Sequence, residues 1–245
     1  GLGDVYKRQP LKERASKSRA LNNASRSSIE GRAYHALHDR HALLTARALP
    51  LENLRAFMEE NRSAGHFIMG TTQMFCLNDY LRDLQEVVDL DCGSSNCTGV
   101  TRAAEIMKHR FDAIGFAAEL VDLGSQAGRG LFAVNQPNAD HYDVLFNAHL
   151  DTVYPDGTAA LRPFTVDKER ISGAGCADCK AGVVAIFHAL KNARPQDLNR
   201  LSIAVAYNPD EEISSVSSGA WLSSLAQKSR LAVVCEPGRP NGAFV

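Results

Sequence analysis

The pattern of apolar and polar positions divides the chain near residue 76. Beyond it, Leu77, Tyr80, Leu81, Leu84, Val87 and Val88 recur at helical spacing, which predicts an amphipathic helix and the start of the folded domain. After the polar turn Asp91-Cys-Gly-Ser-Ser-Asn96, the positions Val100, Ala103, Ala104, Met107, Phe111 and Ile114 predict a second helix, capped near Thr98 and stopped by Gly115. Residues 116–121 and 130–134 read as strands. Residues 143–149, Asp143-Val-Leu-Phe-Asn-Ala-His149, read as a buried parallel strand. A hairpin over 164–171 at the sheet edge leads to a glycine-bearing turn. The segment 180–193, apolar on most faces, predicts a helix packed on the sheet, and 214–226 predicts another. With strands at 201–207 and 231–235, this alternation specifies an α/β fold: a three-layer sandwich with a mainly parallel central sheet.

Upstream, the pattern fails. Residues 1–9 lack an initiator methionine and resemble translated adapter sequence. Residues 10–32 are rich in Lys, Arg, Ser, Asn and Ala, too poor in large apolar side chains to offset the entropy of ordering, so disorder is expected. His35, His38 and His41 fall three apart in a segment of helical pattern, and the reading preferred is a solvated helix face rather than a metal site. Residues 51–62 fit another short helix. The expected organisation is a poorly structured or non-native extension over 1–75 and the first part of a catalytic domain over 76–245.

Composition narrows the function class. A net charge of −1 argues against a nucleic-acid partner. The charge is uneven, since residues 1–70 hold 12 basic against 7 acidic side chains and the rest 15 against 21. Six cysteines are too few and too irregularly spaced for a disulfide scaffold, and reduced thiols in a cytoplasmic protein are the simpler reading. No apolar stretch has the length of a membrane span, so no membrane partner is expected.

The chemistry gathers at strand ends. The strand ending in Ala148 delivers His149 and Asp151. The next runs into Asp210-Glu211-Glu212, and the third into Glu236-Pro237; Asp178 lies in the turn Gly173-Ala-Gly-Cys-Ala-Asp178-Cys-Lys-Ala-Gly182. Ligands of open α/β sheets bind beyond the carboxyl ends of parallel strands. So many carboxylates on one sheet edge would repel and raise one another's pKa values unless cations lie among them. A metal centre is the implication.

These motifs, in this order over about residues 76–238, resemble the co-catalytic zinc peptidases of the M20 family, in particular its glutamate carboxypeptidase branch. The resemblance implies two Zn2+ ions: His149 on one, Asp178 bridging both, Glu212 on the second and Glu236 on the first. Zinc takes imidazole nitrogen and carboxylate oxygen, and a bridging carboxylate holds two ions about 3.5 to 4 Å apart. The same resemblance gives Asp151 the task of fixing the His149 ring through its other nitrogen, makes Glu211 the general base and acid, and implies a cis peptide after Asp178. Ala148 and Ala181 stand where the family has other small residues. The late metal-binding histidine and the lid domain, which in the family contributes substrate contacts and a homodimer interface, lie past the sequence, which therefore looks like the first part of a longer enzyme.

The activity implied is zinc-dependent hydrolysis of an amide or peptide bond in a small peptide or acylated amino acid, releasing a C-terminal amino acid. N-acyl amino acid deacylation or dipeptide cleavage is the alternative within the family, and a catalytically inactive truncated domain the alternative outside it. A Cys176-x-x-Cys179 redox or zinc pair lacks a second cysteine pair. An iron triad of His149, Asp151 and His188 requires a histidine that falls inside an apolar helix and leaves the remaining acids unexplained.

Overall fold

The computed structural model describes residues 75–167 and 170–238. The expectations for the extension, for the three spaced histidines and for a helix over 51–62 lie outside the described residues.

The elements in chain order are helix α1 (Leu77–Val88), helix α2 (Cys97–Ala113) and strands β1 (Ala117–Val121), β2 (Gly130–Val134) and β3 (Tyr142–His149). A one-turn helix α3 (Thr158–Leu161) and the hairpin β4 (Thr165–Asp167) and β5 (Arg170–Ser172) follow. A wide turn at Cys176–Lys180 then opens helix α4 (Ala181–Lys191), and the chain continues through helix α5 (Pro195–Leu198), strand β6 (Ile203–Asn208), a 3-10 turn at Glu211–Ile213, helix α6 (Gly219–Gln227) and strand β7 (Ser229–Val234).

The main sheet has the order β1-β2-β6-β3-β7. Strand β3 pairs in parallel with β6 on one side and β7 on the other, while β2 runs antiparallel to both β1 and β6. The sheet is therefore mainly parallel, and β3, β6 and β7 end on the same edge. Register fixes what is delivered there, since His149 lies level with Asn208, two residues before Asp210.

Two apolar layers cover the sheet. On one face Leu84, Val88, Met107, Phe111, Val184 and Phe187 of α1, α2 and α4 pack on Leu131, Ala133, Ile203, Val205 and Tyr207. On the other, Leu222 and Leu225 of α6 pack on Val134, Leu145, Ala204 and Ala206. The two sets of strand residues alternate, as side chains on a pleated strand must. All six β6 residues are buried because both faces are covered.

Local chemistry sets the boundaries. Asn96, two residues before the expected cap at Thr98, closes the first turn of α2 by accepting the Gly99 amide at 2.8 Å. Gly115, at φ +87°, turns the chain out of that helix. Helix α6 begins at Gly219 rather than at Ser214. Ser214 and Ser215 have φ of 70° and 50°, which no right-handed helix accommodates, and the buried Asp210 carboxylate accepts the amides of Ser217 at 2.6 Å and Ser218 at 3.2 Å. Among the described residues no helix is long and apolar enough to cross a membrane.

Candidate metal centre

Strand β3 places His149 at the sheet edge, 1% exposed. Its two ring nitrogens face opposite ways. Nδ1 lies 3.0 Å from the Asp151 carbonyl oxygen and 3.3 Å from Asp151 Oδ1. Nε2 points outward, 2.9 Å from Asp178 Oδ1 and 3.6 Å from Glu236 Oε1.

Asp151 is wholly buried and ties three segments together. Oδ1 accepts the Glu211 amide at 3.0 Å, and Oδ2 accepts the Ser94 hydroxyl at 2.6 Å and the Glu212 amide at 3.2 Å. Burial works against its charge, but the His149 ring and the Ser94 hydroxyl, followed by the Glu211 amide, hold the carboxyl below the ordinary range. Ser94 reaches it because the 91–96 turn lies along residues 151–152: Thr152 N donates to Cys92 O at 2.8 Å and Ser94 N to Thr152 O at 3.2 Å.

Asp178 enters from the wide turn, and the Asp178–Cys179 peptide is cis. Gly175, at φ +67°, opens this turn, and a Cβ there would lie 2.4 Å from Thr152 Cγ2. At Gly182 a Cβ would meet the Cys235 carbonyl oxygen at 2.1 Å. The absence of a side chain thus lets the start of α4 approach the segment that carries Glu236. Lys180 turns away from the acids; its buried ammonium donates to Leu90 O at 2.9 Å, and burial lowers its pKa.

Two groups of side chains could hold an ion, and both contain His149. One is His149, Asp178 and Glu212; the other is His149, Cys179 and Glu236. Within each, the donor atoms lie within 4.8 Å of one another. Donors of one tetrahedral zinc at about 2.0–2.3 Å stand roughly 3.3–3.8 Å apart, so these groups would draw in by up to about 1.5 Å to close on a cation. The acids also behave as an underneutralised cluster. Partial burial raises Glu211 and Glu212 above the usual carboxylate range; Glu236, Asp151 and Asp178 push Glu211 further up, and Asp178, Asp151 and Glu211 do so for Glu212. Burial opposes protonation of His149, but its contacts with Asp151, Cys179 and Glu236 hold its pKa far above the ordinary imidazole value.

The structure thus brings His149, Asp178, Glu212 and Glu236 to one sheet edge, with Asp151 beneath the imidazole and Glu211 beside the acids. Asp210 turns into the fold instead. His188 belongs elsewhere, its Nε2 2.9 Å from Asp83 Oδ2. Ser94 and Cys179 were not anticipated as parts of the site. No local pattern marks Ser94, 57 residues before its partner, whereas Cys179 adjoins Asp178 in a motif already singled out.

Residues 145–245 match the family model described as Peptidase family M20/M25/M40. This stretch is similar to the M20 peptidases. Carboxypeptidase G2 of Pseudomonas sp. (strain RS-16) is 29% identical over 143 residues, which are 54% of this chain and 32% of the relative. The fold resembles that of the M20 family metallo-carboxypeptidase Sso-CP2 from Sulfolobus solfataricus, with a TM-score of 0.54 and 22% identity over 67% of this chain and 39% of that one. It also resembles human carnosine dipeptidase 1, with a TM-score of 0.55 and 18% identity over 66% of this chain and 39% of that one. The chain spans about a third of the length of the curated relative it matches.

Proposed function

We propose that this chain carries the metal-binding half of a zinc-dependent hydrolase that cleaves an amide or peptide bond and releases a C-terminal amino acid. The observation that supports this reading is the convergence of His149, Asp178, Glu212 and Glu236 at the carboxyl ends of β3, β6 and β7 and the turn before α4. In the proposed arrangement His149 and Glu236 hold one ion, Glu212 a second, and Asp178 both. Zinc would supply Lewis acidity toward the substrate carbonyl and lower the pKa of a bound water.

The chain's own groups account for the rest. Glu211 stands among the acids without being one of the proposed ligands, which leaves its carboxylate to take a proton from the attacking water and return it to the leaving nitrogen. Asp151 acts as a positioning residue, holding the imbedded His149 ring and the Glu211 and Glu212 backbone in one frame. The substrate is a small peptide or acylated amino acid, and a homodimer would form through a lid domain beyond these residues. The described cysteines are all free thiols, in keeping with a reducing cytoplasm.

The test is Glu211→Gln in a chain lengthened to the span of its carboxypeptidase relatives, assayed on N-acyl glutamates, other N-acyl amino acids and dipeptides. The expected outcome is loss of turnover by 10²-fold or more, of the order general base catalysis contributes, with zinc content unchanged. Retained turnover removes Glu211 from the role.

A further inference from the structure

One of the two groups that could hold an ion contains a thiol. Cys179 is 0% exposed, yet its Sγ, a ring nitrogen of His149 and a carboxylate oxygen of Glu236 all lie within 4.8 Å of one another. Its thiol donates a hydrogen bond to the Cys235 carbonyl oxygen at 3.4 Å. Backbone packing holds it there: a Cβ at Gly182 would lie 3.3 Å from Cys179 Sγ and 2.1 Å from the Cys235 carbonyl oxygen, so α4 and the Glu236 segment close around it. The thiol is therefore fixed rather than free to swing to solvent.

We propose that Cys179 is a metal ligand, so that the ion held by His149 and Glu236 sits in a mixed nitrogen, oxygen and sulfur site. This rests on the metal-centre reading above and adds a donor that carboxylates cannot imitate. On binding, the S–H bond breaks, the proton leaves to solvent, and the sulfur lone pair forms the bond to the cation, replacing the hydrogen bond to Cys235. A thiolate donor shifts preference from hard cations such as Mg2+ toward Zn2+, Cd2+ and Co2+. His149 Nε2 can bind one ion at a time.

The test uses the 245-residue chain titrated with Co2+, reading visible ligand-field bands for binding and near-ultraviolet thiolate-to-cobalt charge transfer for sulfur ligation. The wild-type chain and Cys235→Ser should show both signals, and Cys179→Ser should keep ligand-field bands while losing charge transfer. Charge transfer that persists in Cys179→Ser, or ligand-field bands without charge transfer in the wild type, overturns sulfur ligation alone. Absence of Co2+ binding in the wild type overturns the metal centre as well. Circular dichroism checks that Cys179→Ser folds. If it does not, 113Cd resonance of the wild-type chain decides, since a thiolate ligand moves the signal well downfield of nitrogen and oxygen coordination and an upfield signal contradicts the proposal.

Discussion

The Asp151 carboxylate accepts the backbone amide of Glu211 at 3.0 Å, across 60 residues of sequence. The same oxygen faces His149 Nδ1. One buried carboxylate therefore sets the imidazole on β3 and the acidic turn after β6 in a common frame, which ties the orientation of the His149 ring to the placement of the acids after β6.

Asp151→Asn keeps the size of the side chain while removing its charge and one acceptor oxygen. Replacing a group that orients a metal-binding histidine typically weakens metal affinity 10–100-fold. Competition against a chromophoric zinc chelator should show a loss in that range. An unchanged affinity would mean that His149 needs no such support.

Asp210, Glu211 and Glu212 are adjacent in sequence and have different fates. Asp210 is buried and caps the approach to α6 through Ser217 and Ser218, whereas Glu211 is exposed. Asp210→Ala should cost about 1–2 kcal/mol in urea denaturation, the loss of a cap and its hydrogen bonds. Glu211→Gln should leave stability within about 0.5 kcal/mol of the parent. Equal effects would contradict this division.

Tyr207 is completely buried under α4, and its hydroxyl donates to the Val183 carbonyl at 2.7 Å. Tyr207→Phe should destabilise the fold by about 1–2 kcal/mol through one lost hydrogen bond. Zinc affinity should not change, because the hydroxyl faces the helix layer and not the acids.

Away from the site, Asp83 on α1 joins His188 at 2.9 Å and Arg110 at 3.2 Å. Burial opposes its charge, but Arg110 foremost and then His188 hold its pKa below the ordinary value. A carboxyl depressed in the folded state contributes stability above its unfolded pKa of about 3.9, and that contribution is lost as pH falls through the folded value. Asp83→Asn should therefore destabilise the chain near neutral pH and flatten the decline of stability below about pH 4. A parallel decline in both proteins would contradict the assignment.

The sequence made the strand-end chemistry legible because β3 and β6 are buried on both faces and read as short apolar runs that stop at charged residues. Their parallel pairing then puts those stops on one edge. The apolar spacing of Trp221, Leu222 and Leu225 extends backward into Ile213 and Val216 and so predicts a start at Ser214, whereas Ser214 and Ser215 adopt positive φ that nothing local announces and α6 begins at Gly219. Ser94 escaped notice for another reason: a turn far away in sequence delivers it, and side-chain hydrogen bonds of that range leave no periodic trace. For Cys179 the sequence offers a Cys-x-x-Cys pair, redox or zinc-binding, and the peptide after Asp178, neither of which points to a place beside Glu236. Its nearness to His149 and Glu236 arises from the close approach of α4 to the end of β7.

The central claim is that His149, Asp178, Glu212 and Glu236 enclose divalent cation, and zinc-edge anomalous diffraction from crystals of the zinc-loaded chain tests it most directly. Anomalous density should lie at the His149 Nε2 face, bounded by the Asp178 and Glu236 carboxylates and extending toward Glu212. Zinc bound only at other positions, with these side chains engaged solely with one another, would contradict it.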